Sequence, residues 1–185
     1  MKTLHVALAV LMTVSVPTLV RADREDRKDR IHIDLVGFQE VPSVSTPASG
    51  EFKARIARDD QSFDYELMFS GLAGTVQQSH IHIAQRGVNG SIVVWLCQTV
   101  TTPAPAAVAS LTPFCPQSGT VTGTITAANV IAAGTASQQI VAGELAEVLA
   151  AIRAGVAYVN VHATPLNPGG EIRGQFRGSD RDDKR

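Results

Sequence analysis

Apolar and polar residues alternate along most of this chain, and this period of two limits its fold more than any other feature. The clearest run lies between Ser62 and Leu72, where every second residue is large and apolar: Phe63, Tyr65, Leu67 and Phe69. Side chains of a β-strand point alternately to the two faces of a sheet, so the run predicts a strand with one buried face. Similar segments recur with turn residues between them. The sequence therefore predicts an all-β fold, a Greek-key sandwich or barrel.

Eight segments predict strands, and one predicts a helix. The strands are expected at 31–38, 50–58, 62–72, 78–84, 91–97, 119–125, 156–163 and 170–177. Residues 141–154 place apolar side chains at helical spacing and end at Gly155, so they predict one short helix. Asn89-Gly90 predicts a tight hairpin turn, because this pair accepts the positive φ angles of such turns.

The first 22 residues are predicted to be a secretory signal peptide. Lys2 supplies the positive start, 4–20 are mostly apolar, and Val20-Arg21-Ala22 resembles a cleavage site. An uncleaved anchor is the alternative, although the apolar run is interrupted and short for a membrane span. Cleavage would leave no membrane span and would change the formal net charge from −1 to −3. We therefore expect a secreted or periplasmic protein that does not bind nucleic acid, since such binding needs a basic surface.

Two charged segments flank the predicted folded domain, 31–178. Residues 23–30 (DREDRKDR) and 179–185 (SDRDDKR) contain nothing apolar that a core could bury, so both are predicted to be solvated tails. The chain has two cysteines, Cys97 and Cys115. In an exported protein such a pair predicts a disulfide, with thiolate metal ligands as the alternative.

Three histidines are the candidate metal ligands. His80 and His82 are two residues apart on a predicted strand, so both side chains point to one face, and His162 lies on a later strand. Imidazole suits copper and zinc, and we expect copper first and zinc second. Three nitrogen ligands with an open position are typical of a metal that binds a substrate or catalyses a reaction. The alternative is three polar side chains on a solvated sheet.

The neighbours of these histidines predict their direction. Ile81 and Ile83 alternate with the first two histidines, and Val159 and Val161 alternate with the third. If the aliphatic side chains face the core, all three histidines face away from it, on the solvent side of one sheet.

Other polar residues are expected near the histidines. Glu171 and Asn160 are predicted to support them through hydrogen bonds, and Arg173 or Arg86 is predicted to attract an anion. For Glu171 and Arg173, however, the favoured interpretation is a cross-strand salt bridge between the two. Trp95 alternates with Val93 and is predicted to lie in the core.

Three blocks of the sequence resemble the CHRD (chordin) domain family. They are Gly37-Phe38-Gln39-Glu40-Val41-Pro42, His80-Ile81-His82 with Asn89-Gly90, and Tyr158-Val159-Asn160-Val161-His162 with Gly170-Glu171-Ile172-Arg173-Gly174-Gln175. Gln85 and Ala163 depart from the family's usual residues and leave the histidines untouched. The resemblance implies an exported module, and it implies no settled activity.

The histidine set also resembles, more weakly, the copper site of copper/zinc superoxide dismutases. Those enzymes place a His-x-His on a barrel strand and take another copper ligand from a distant strand; neither a bridging histidine nor a His/Asp zinc cluster is visible here. The fold expected is thus similar to a superoxide dismutase or an immunoglobulin. Three functions stay open: a module that binds a metal or a protein or small-molecule partner, a copper-only redox enzyme, and a structural adhesion module.

Overall fold

The structure is a computed structural model that describes residues 29–178. The predicted signal peptide, residues 23–28 of the first tail and the tail at 179–185 lie outside the described residues. The strands are β1 (Arg30–Val36), β2 (Ser49–Ile56), β3 (Ser62–Ser70), β4 (Thr75–Ile83), β5 (Ser91–Cys97), β6 (Gly119–Thr126), β7 (Ala157–Thr164) and β8 (Asn167–Gln175). The α-helix of this part of the chain is α1 (Leu145–Arg153).

All eight strands form one antiparallel sheet in the order β5-β4-β7-β8-β1-β2-β3-β6. Its two edge strands approach each other, so the sheet is nearly closed. Val94 of β5 bridges to Val130, just after β6, and the Tyr65 hydroxyl donates to the carbonyl of Leu96 across 2.6 Å. Several neighbours are not consecutive in the chain, as in a Greek-key barrel. The predicted all-β fold with one short helix is confirmed.

The main core fills the inside of this barrel. It contains the predicted apolar face of β3 and the aliphatic residues that alternate with the candidate histidines, including Ile81, Val159 and Val161. The helix α1 closes it with Leu145, Val148, Leu149 and Ile152. This helix begins four residues later than predicted, after Gly143, which has a φ of +89° and forms a turn. Gly155, with a φ of +71°, follows its end as predicted.

Residues 98–118 cover the outside of the barrel beside β4 and β5. Cys97 and Cys115 form the predicted disulfide at the base of this excursion, with Cα atoms 5.0 Å apart. The Gln98 side chain donates to the carbonyls of Ala109 and Thr112, both across 2.7 Å. Ala104 and Val108 pack with Trp95 in a second, smaller apolar cluster. The excursion is therefore an ordered cover over one face of the sheet.

Candidate metal centre

The three candidate histidines meet on neighbouring strands. His80 and His82 lie on β4 and His162 lies on the adjacent strand β7. One ring nitrogen from each histidine lies within 4.8 Å of the other two. All three side chains point away from the main core, as predicted. We call the outer face of β5, β4, β7 and β8, on which they lie, the histidine face.

The histidine face is buried, so the prediction that it faces solvent is wrong. Only 0%, 7% and 6% of His80, His82 and His162 are exposed. Four segments outside the strands cover this face: 37–46, 84–90, 98–115 and 165–168. The period-two pattern shows which face a strand turns away from the core, but it contains no information on what the loops place over that face.

Backbone carbonyls fix the orientation of two of the imidazoles. Nδ1 of His82 lies 2.9 Å from the carbonyl oxygen of Gly90, and Nδ1 of His162 lies 2.9 Å from that of Pro168. A carbonyl oxygen can only accept, so each Nδ1 donates its proton. In the neutral ring, each Nε2 therefore carries a lone pair, and both of these atoms point into the histidine face.

The remaining contacts bring a third ring and an amide to the same place. Nδ1 of His80 lies 3.2 Å from Nε2 of His162. Asn160, also on β7, places Oδ1 3.1 Å from Nε2 of His82 and 3.0 Å from Nε2 of His162. Nε2 of His80 is buried and has no hydrogen-bond partner within residues 29–178.

Burial keeps the three rings neutral near pH 7. Burial lowers the pKa of His82 to about 4, and it lowers the pKa of His162 below the usual 6.5. The pKa of His80 falls well below 6.5, through burial first and then through its two histidine neighbours. Neutral imidazole is the form that binds a metal ion.

Residues 31–176 match the sequence profile of the CHRD domain. The chain belongs to the CHRD domain family. This range includes β1 from Ile31 onward, all of β2 to β8 and all three histidines. Neither the curated proteins nor the solved structures provide a match to the chain. CHRD domains are typically extracellular interaction modules, and the disulfide fits that setting.

Of the two predicted supporting residues, the CHRD fold brings one to the histidines. Asn160 touches both Nε2 atoms, as described above. The Glu171 carboxylate instead accepts hydrogen bonds from the Thr46 hydroxyl at 2.6 Å and from the backbone N–H of Ala73 at 2.9 and 3.0 Å. Glu171 therefore holds the segments before β2 and β4 against β8, rather than a histidine.

Arg173 lies within the histidine face rather than on an open rim. It is 1% exposed and donates to the carbonyl of Val88 and to the side chains of Asn89 and Gln175. The predicted salt bridge between Arg173 and Glu171 is therefore wrong, because each side chain has other partners. Its guanidinium lies 3.3 Å from the centre of the Tyr158 ring, which stacks on His82 with centroids 4.6 Å apart. Arg86, the other predicted anion-steering residue, is exposed and donates to Gln39.

The sequence also did not place Trp95 and Glu40 beside this site. Trp95 is buried as expected, but a β-bulge near Val93 sets it opposite His80 on the histidine face instead of in the main core. Glu40 is 5% exposed, and burial raises its pKa to about 6. The sequence feature that could have identified Glu40 is its position in the Gly37–Pro42 block, which resembles the CHRD family.

A second group of potential ligands lies on the surface of β1 and β2. It contains His32, Asp34 and Glu51, and no His/Asp cluster of this kind was visible from the sequence. Glu51 contacts both His32 and Lys53, and the Lys53 ammonium lies 2.7 Å from its carboxylate. This lysine already neutralises the carboxylate that a metal would need.

The described residues include no helix long and apolar enough to cross a membrane.

Proposed function

We propose that this CHRD domain protein is an exported module that binds one transition-metal ion through His80, His82 and His162. One observation carries the proposal: the lone pairs of two neutral imidazoles point at the same buried spot, with the third ring beside them. Metal-binding histidines in proteins usually donate their other N–H to a carbonyl or carboxylate, as His82 and His162 do.

A network of ordinary hydrogen bonds explains this arrangement less well. Buried polar groups normally pair a donor with an acceptor. Here both Nε2 atoms face an amide oxygen, which is a further acceptor, and Nε2 of His80 faces no partner in the described part of the chain. A bound cation would accept the lone pairs of both Nε2 atoms and of Nδ1 of His80 together.

Copper is the metal that we propose first, and zinc second. Both accept imidazole nitrogen, and the general order of divalent affinities places copper above zinc. Export of the protein rests on the predicted signal peptide and on the disulfide between Cys97 and Cys115. The same module, without a metal, would remain an interaction domain for a partner of another kind.

The burial of the site weighs against the alternative of a copper-only redox enzyme. Superoxide would have to reach the metal, and the covering segments leave the histidines at most 7% exposed. Arg173, the better placed of the two candidate anion-steering residues, is occupied by Val88, Asn89 and Gln175. We expect the copper-loaded protein to remove superoxide no faster than free copper does. A higher rate would favour the enzyme.

Calorimetric titration of the purified protein with copper and zinc tests the proposal. We expect one ion per chain, and a loss of affinity of more than about a hundredfold in His82→Ala, since even indirect partners of metal ligands account for up to that factor. His32→Ala is the matched control, because this histidine is exposed on β1 and should leave the affinity unchanged. Equal affinities in His82→Ala and wild type would overturn the proposal.

A further inference from the structure

We propose that the side-chain oxygen of Asn160 is the fourth ligand of the metal, and that Glu40 holds the amide in the required orientation. This inference rests on the proposed function and defines the site further. It makes the centre a closed set of three nitrogens and one oxygen, all from the protein. Such a centre differs from the open three-histidine site that the sequence predicts.

The distances between the four atoms fit a tetrahedral site. Metal–nitrogen bonds are about 2.0 Å long, so neighbouring ligand atoms of a tetrahedron are about 3.3 Å apart. Oδ1 of Asn160 lies 3.0 Å from Nε2 of His162 and 3.1 Å from Nε2 of His82. Nδ1 of His80 lies 3.2 Å from Nε2 of His162. Four ligand atoms define six distances, and these three of them already have about the length that a small metal ion requires.

The orientation of the amide decides whether Asn160 can be a ligand. With the NH₂ group toward the histidines, it would simply donate to the two lone pairs. Glu40 opposes that orientation. Its carboxylate lies on the Nδ2 side of the Asn160 amide, because Oε1 of Glu40 and Nδ2 of Asn160 both border the position that a Cβ atom of Gly170 would take. The NH₂ group therefore faces Glu40, and the oxygen faces the histidines.

Gly170 provides the space for this pairing. A Cβ atom on Gly170 would lie 2.3 Å from Oε1 of Glu40 and 2.8 Å from Nδ2 of Asn160. Oε1 of Glu40 is buried and has no hydrogen-bond partner within residues 29–178. The negative carboxylate thus lies one amide away from the site, where it can offset part of the charge of a bound cation.

A closed site changes what the metal would do for the protein. With four protein ligands, no coordination position is left for a substrate, as in structural zinc sites. The ligands also connect to three of the covering segments, through Gly90, Pro168 and Glu40. The ion would therefore lock the loops that form the outer surface of this face.

Cobalt(II) is the probe, because its visible absorption differs between four-coordinate sites and sites with more ligands. The variants are Asn160→Leu, which keeps the volume and removes the oxygen, and Asn160→Asp, which keeps an oxygen donor. We expect the wild type to give the intense tetrahedral spectrum. Asn160→Leu should lose this spectrum and about tenfold or more of the cobalt affinity, and Asn160→Asp should restore both.

The outcomes separate this inference from the proposed function. If His82→Ala loses cobalt while Asn160→Leu keeps the wild-type spectrum and affinity, Asn160 is not a ligand and the three-histidine site stands. If the wild type binds no cobalt, copper or zinc, both fail. Near-ultraviolet circular dichroism of each metal-free variant checks that it is folded. If Asn160→Leu does not fold, the spectrum of Asn160→Asp decides: an octahedral spectrum in that variant overturns the inference.

Discussion

The indole ring of Trp95 lies edge-on to the imidazole of His80, with the ring centroids 4.2 Å apart. The two residues are cross-strand partners on β5 and β4. Trp95 packs on its other side with Ala104 and Val108 of the covering excursion. One aromatic side chain thus joins the proposed metal site to the segment that hides it from solvent.

Trp95 should report copper binding directly. It is the single tryptophan of the chain, so the indole fluorescence comes from this site alone. Copper(II) quenches a nearby indole, whereas zinc(II), with its filled d shell, does not. We expect strong quenching by one equivalent of copper in the wild type and in His32→Ala. Full quenching in His82→Ala at the same copper concentration would place the copper elsewhere.

Two single substitutions at adjacent glycines should show whether the packing of Glu40 against Asn160 matters, apart from the effect of adding a methyl group to β8. Gly170 has a φ of +127°, and a Cβ there would collide with Glu40, so Gly170→Ala should cost about 1–3 kcal/mol in free energy of unfolding. It should also weaken metal binding, because the Asn160 amide shifts. A Cβ on Gly169 would meet nothing within 4 Å, so Gly169→Ala is the matched control. Equal urea denaturation midpoints for the two variants would contradict this account.

The metal-free protein should lose stability as the pH falls below about 6.5. The three buried histidines have lowered pKa values, His82 to about 4, so in this range the unfolded chain binds more protons than the folded one. By linkage, stability is complete above pH 6.5 and declines toward pH 4. His82 alone should account for about 2 kcal/mol between pH 7 and pH 5.

Glu40 should oppose this decline. Burial raises its pKa to about 6 from 4.5, so its contribution is complete below pH 4.5 and is lost as the pH rises through 6. One such group does not outweigh three histidines, and Glu40→Gln should make the acid destabilisation steeper. Urea unfolding at pH 7 and pH 5 measures both effects. A free energy of unfolding that is equal or higher at pH 5 would show that the histidines are not buried in the neutral form.

Removal of the disulfide should destabilise the protein but leave most of the cover in place. Closing a loop of this size is worth about 3 kcal/mol, so Cys97→Ser/Cys115→Ser should lower the free energy of unfolding by about that amount. The hydrogen bonds from Gln98 to Ala109 and Thr112 remain. We therefore expect the emission maximum of Trp95 to stay that of a buried indole. A red-shifted maximum in the folded variant would mean that the disulfide alone holds the cover.

The sequence predicted the fold and the common face of the three histidines because both depend on local patterns. The alternation along β3 and the helical spacing around Val148 are set by the backbone geometry of each element. His80, His82 and His162 could be assigned to one face for the same reason. The cover of that face could not be predicted, since the Trp95–Val108 contact joins segments with no shared period.

Glu40 and Trp95 show what else could not be predicted from the sequence. A β-bulge in β5 breaks the period of two, so the alternation with Val93 assigned Trp95 to the wrong apolar cluster. Glu40 lies after a 3₁₀ turn between β1 and β2, and only the folded chain brings it beside Asn160. Asn160 itself was predicted to support the histidines, and its Oδ1 contacts Nε2 of His82 and of His162.

Anomalous diffraction from copper-loaded crystals tests the central claim most directly. We predict one strong copper peak per chain, within about 2.0–2.2 Å of one ring nitrogen of each of His80, His82 and His162. A peak beside His32, Asp34 and Glu51 with none at the three buried histidines would contradict the account, as would the absence of any bound copper.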